Sequence, residues 1–61
     1  MKETEQTYIE LGYRFEKATH PPTVRAIAEE IRHKIESERL EDRAEARRLI
    51  ERGRMEARNN H

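Results

Sequence analysis

The stretch Glu36-Ser37-Glu38-Arg39-Leu40 lies in the middle of a 36-residue tract, residues 23–58, that contains no proline and only one glycine, Gly53. Whether the chain runs straight through these five residues or turns there decides the fold. Glu, Arg and Leu are good helix formers, and no Gly, Pro or Asn marks a turn. The tract therefore predicts one continuous helix over residues 23–58, with a bend or break near residues 36–40 as the alternative. The face pattern supports the alternative. Val24, Ile27, Ala28, Ile31 and Ile35 form an apolar face at three- and four-residue spacing. The same angular sector, at about 100° per residue, then passes through Glu38 and Asp42 before apolar character returns at Ala46, Leu49, Ile50, Gly53 and Ala57.

Upstream, Thr19-His20-Pro21-Pro22-Thr23 is the one clear loop signal. A residue that precedes proline is pushed out of the α region, which ends the first helix near Thr19. The first helix is expected over about residues 4–18, the loop over 19–22, and Thr23 as the N-cap of the second helix. Tyr8, Leu11, Phe15 and Ala18 line one stripe of the first helix. Gly12 sits beside that stripe, where it costs about 1 kcal/mol relative to Ala and permits close approach of a neighbouring helix.

These elements predict an all-α helical hairpin in a single small domain. Its intramolecular core would comprise Tyr8, Leu11, Phe15, Val24, Ile27, Ile31 and Ile35. A helix of about 15 residues spans roughly 22 Å and covers only the first half of a 36-residue partner. That geometry leaves Ala46, Leu49, Ile50, Gly53 and Ala57 without cover inside the chain. They are accordingly expected at the interface of an antiparallel homodimer, with Gly53 and Ala57 as a small-residue pair allowing close helix approach.

Composition bounds the function. The chain has 61 residues, 13 basic and 13 acidic side chains, zero formal net charge and no cysteine. A domain this small buries only about 60% of its unfolded surface and is marginal alone. Disulfides and thiolate metal sites are excluded. No apolar run approaches the roughly 20 residues of a membrane-spanning helix, and no apolar leader follows the polar N-terminus. The expectation is a cytoplasmic protein of a bacterial or phage-infected cell, with no membrane partner.

Chemistry-bearing patterns are sparse. There is no Ser/His/Asp or Cys/His set and no glycine-rich phosphate loop, so no catalytic residue and no cofactor is assigned. Glu30-x-x-His33 has the spacing of bundle metal ligands, with Glu38 and Asp42 as the only candidate companion carboxylates, but a surface Glu–His pair is far commoner, so no metal is assigned. On a continuous helix, Arg25, Arg32, Arg39, Arg43, Arg47, Arg54 and Arg58 would share a sector of about 100°. Interleaved acids make most of them members of a solvated, salt-bridged face. Arg39, Arg43 and Arg47 are the candidate contacts to nucleic acid or to an acidic partner.

Part of the chain resembles a known family. Tyr8-Ile9-Glu10-Leu11 through Phe15, followed by Pro21-Pro22-Thr23-Val24-Arg25-Ala26-Ile27-Ala28-Glu29-Glu30-Ile31, is similar to the first two helices of the winged helix-turn-helix domain of LexA-type repressors. Leu49-Ile50-Glu51-Arg52-Gly53-Arg54-Met55 resembles, more loosely, the end of their recognition helix. The resemblance implies DNA binding, with Arg39, Arg43 and Arg47 on the recognition helix. In size and composition the chain also looks like small accessory proteins of temperate phages and mobile elements. The preferred expectation is a dimeric, non-enzymatic regulatory module acting on a host or regulatory protein. The alternative is a helix-turn-helix transcriptional regulator.

Overall fold

A computed structural model describes residues 4–60. It is all-helical, with three helices in place of the expected two. α1 spans Glu5–Lys17, α2 spans Pro21–Glu36 and α3 spans Arg43–Asn59, with a 3₁₀ turn at Leu40–Asp42 between the last two.

α1 starts where Thr4 caps it. The Thr4 Oγ1 accepts the backbone N–H of Thr7 at 3.2 Å, satisfying one of the donors that a helix start leaves unpaired. It stops at Ala18, whose extended ψ of 133° leads the chain toward the prolines. α2 begins two residues before the expected cap. Pro21 and Pro22 fill its first two positions, with His20 rather than Thr23 as the N-cap. The reason is local: proline's missing N–H would have no intrahelical partner there anyway, and its fixed φ suits the first turn.

The expected continuity through residues 36–40 is corrected by the structure: α2 ends at Glu36 and the chain turns back. The turn needs neither glycine nor proline because no residue in it has positive φ. Ser37 stays in the αR region and Arg39 is extended, with φ −64° and ψ 152°. Any L-residue adopts both conformations. Side chains stabilise the end of α2. The Ser37 hydroxyl donates to the Lys34 carbonyl at 2.7 Å, and the single Tyr8 hydroxyl proton is shared between that carbonyl at 3.0 Å and Glu38 Oε2 at 2.8 Å. Arg43 donates from Nη2 to the Glu36 carbonyl at 3.1 Å and from Nε to the Glu38 carbonyl at 3.3 Å. A guanidinium at this end also opposes the negative pole of the α2 dipole.

The three helices run up, down and up. Antiparallel pairing of α1 with α2 follows from Tyr8 meeting Lys34 and Glu38 while Arg14 lies 3.9 Å from Glu30. α1 and α3 are parallel: Gly12 abuts Ile50, Glu16 meets Arg54 and Arg58, and Lys17 reaches the Asn60 carbonyl. The closest packing is between α1 and α3, so the main partner of α1 is α3 and not the first half of a hairpin arm. Their backbones touch through two glycines. A Cβ on Gly12 would lie 2.8 Å from the Ile50 carbonyl carbon. One on Gly53 would lie 2.8 Å from the Ile9 carbonyl carbon and 2.9 Å from the Tyr13 nitrogen.

The core follows from that seam: Tyr8, Leu11, Ala46, Leu49 and Ile50 are buried together, with Ile9, Ile31 and Ile35 packed against them. Of the expected core, Tyr8, Leu11 and Ile27 are buried, while Phe15, Val24, Ile31 and Ile35 are half-buried. Ala46, Leu49, Ile50, Gly53 and Ala57, assigned above to a contact between copies, are buried within one chain. The turn at residues 37–42 carries α3 back onto α1, which supplies the cover that the hairpin geometry lacked.

Candidate functional site

Once α1 and α3 have closed on each other, α2 meets α3 only loosely, and an open groove of about 380 Å³ lies between them. Its floor is aliphatic: Ala28, Ile31 and Ile35 of α2, at positions i, i+3 and i+7. Ile31 and Ile35 also pack against the core and are half-buried, while Ala28 is exposed. The walls are charged, with Arg32 and Glu36 on the α2 side and Arg43 and Arg47 on the α3 side.

These four charges are held differently. Arg32 is compensated. It bonds Glu29 through Nε and Nη2, at 3.1 and 2.8 Å, and lies 3.6 Å from Glu36. The Arg32 hydrogen bond and charge hold the Glu29 carboxyl below its ordinary range, and Glu29 in turn raises Arg32. Arg43 is positioned by two neutral backbone carbonyls, which fix its guanidinium without cancelling its charge. Arg47 is exposed and makes no ion pair with any described residue.

Of the three arginines singled out from the sequence, Arg43 and Arg47 come together on the groove wall. Arg39 does not join them. It is exposed at the entry to the 3₁₀ turn, again with no ion pair among the described residues. Ala28, Arg32 and Glu36 complete the site and were not singled out. Their signal was present, since Ala28, Ile31 and Ile35 already stood on one α2 face, but that face was assigned wholly to α1.

The remaining arginines are mostly absorbed locally. Arg48 bonds Glu45 at 2.9 Å and Arg52 lies 3.3 Å from Glu56. Arg54 and Arg58 converge on Glu16 at 3.0 and 3.3 Å, and Arg54 also lies 5.2 Å from the centroid of the Phe15 ring. Hydrogen bonding from Arg54 is the main reason that the Glu16 carboxyl is held below its ordinary value, against a smaller opposing effect of burial. This cluster latches α1 to α3. Glu30 faces Arg14, and His33 Nε2 lies 3.9 Å from Glu29. Among the described residues no group of three or more His, Cys, Asp or Glu could hold a metal, and no helix is long and apolar enough to cross a membrane.

No family model matches the chain, and no curated protein or solved structure matches it.

Proposed function

We propose that the chain is a small non-catalytic binding module that acts on another protein through the groove between α2 and α3. One observation carries this reading: an open channel combines an aliphatic floor with two uncancelled guanidiniums, on a domain whose core is completed elsewhere. Apolar contact supplies affinity in such a site, and charge at its rim supplies orientation and choice of partner. A regulatory role toward a host protein, of the kind served by small accessory proteins of mobile elements, fits this mode of action. Binding through the groove needs no second copy of the chain, because the α3 strip expected to require one is covered by α1.

A photo-crosslinking residue at position 47, in the native cells, tests this reading. The expected result is a discrete protein adduct that is absent when the same residue stands at position 52, outside the groove. Adducts to nucleic acid alone would overturn it.

The second reading is DNA binding, favoured by Arg25, Arg39 and Arg47, which make no ion pair among the described residues. Affinity for duplex DNA separates the two. A protein making 6–10 phosphate contacts loses about 10³–10⁵ in affinity between 50 and 200 mM salt. The binding-module reading expects no such steep dependence.

A further inference from the structure

We infer that the occupant of the groove is an acidic amphipathic helix of the partner protein, a conclusion that rests on the binding-module reading above. The recurring ways of holding a peptide narrow the choice. Strand addition requires an open sheet edge, and no strand occurs among the described residues. Polyproline recognition requires an aromatic-lined groove, and none of the lining residues is aromatic. A phosphate group would engage the guanidiniums but leave the aliphatic floor wet. A helix laid between α2 and α3 covers both.

The dimensions suit that occupant. Ala28, Ile31 and Ile35 span eight residues of α2, about 10 Å or two helical turns. Two or three apolar side chains at i, i+3 or i+4, and i+7 would match such a strip. Ala28 is small and exposed, so the Ala28 end has room for the bulkiest of them. Arg43 and Arg47 stand one turn apart on α3, which sets their Cβ atoms about 5–6 Å apart. Two carboxylates one turn apart on the incoming helix have the same spacing. Arg32 is compensated by Glu29 and Glu36, which leaves the Arg43 and Arg47 guanidiniums as the uncancelled charges on the walls. The rim therefore favours an acidic helix and repels a basic one.

Two synthetic helical peptides test this, with the same leucines at i, i+3 and i+7 and with flanking residues that are either glutamate or lysine. Each is titrated into ¹⁵N-labelled protein. The glutamate peptide is expected to shift the amides of Ala28, Ile31, Ile35 and Arg43 and to bind about tenfold more tightly than the lysine peptide. Arg47→Glu should erase or reverse that preference with an unchanged fold. Ala28→Gln, which fills the exposed end of the floor without adding charge or touching the core, should weaken both peptides. Equal binding of the two peptides in the groove would overturn the acidic preference and leave the binding-module reading standing. Stronger shifts of the same amides by inorganic phosphate would overturn the helical occupant. Absence of groove shifts with both peptides, together with salt-steep binding of duplex DNA, would overturn the inference and the reading beneath it.

Discussion

The α1/α3 seam and the α2/α3 groove are built from the same α3 helix and differ in almost every physical respect. At the seam, Gly12 and Gly53 bring backbone against backbone and aliphatic side chains close over them. Across the groove, Ala28, Ile31 and Ile35 face arginines over open space. The buried core lies along the seam, and Arg43 and Arg47 lie outside it, where the proposed recognition would take place. A 61-residue chain has little apolar surface to spare; Leu40 and Met55 are left exposed, and Ile31 and Ile35 are half-buried at the groove.

Substitutions can break that contrast. Leu49→Glu places a carboxylate in the seam with no compensating charge, and burying an unpaired charge costs several kcal/mol. The expected outcome is an unfolded chain by circular dichroism at any concentration. A folded monomer released from a dimer would instead restore the interface between copies expected from the sequence. Gly12→Ala and Gly53→Ala push a methyl into a facing backbone that has no rotamer to yield. Each should lower stability to chemical denaturation by about 2–3 kcal/mol, the upper part of the overpacking range, despite alanine's better helix propensity.

Tyr8→Phe probes the junction of seam and turn. The Tyr8 hydroxyl shares its proton between Glu38 at 2.8 Å and the Lys34 carbonyl, and Glu38 is only 3% exposed. Its removal should cost about 1–2 kcal/mol and increase hydrogen exchange in residues 36–40. The pH dependence of the latch is smaller and has a definite sign. Glu16 is held below its ordinary value of 4.5 by Arg54 and Arg58. Its contribution is therefore fully present above about pH 4.5 and is lost as pH falls through the lower folded-state value. Glu16→Gln should flatten that part of the acid-unfolding curve. Arg47→Ala, on the groove side, should change stability by less than about 0.5 kcal/mol. A larger loss would mean that the groove wall is structural.

Much of the helical content was legible. The Tyr8, Leu11, Phe15 stripe, the stop before Pro21 and the apolar faces on either side of residues 36–40 each correspond to what formed. The turn at 37–39 was not legible, because its conformations are open to every L-residue and carry no compositional mark. Besides the Ser37 hydroxyl, its stabilising contacts come from Arg43, downstream, and from Tyr8, about 30 residues away in sequence. The groove was hidden for the same reason. With one long helix, Ala28 and Arg47 lie 19 residues apart on a rod. Only a reversal of direction makes them neighbours.

The sequence by itself determined that this chain is helical, where its first helix ends, and that the apolar strip at Ala46, Leu49, Ile50, Gly53 and Ala57 had to be covered. Helix propensity and apolar periodicity are local properties, and they act before any partner is present. Tertiary structure alone decided what provides the cover. Parallel docking of α3 on α1 buries the strip intramolecularly, where the partner is always at hand and no association entropy is lost. That choice brings the two glycines together and leaves the arginine-walled groove open.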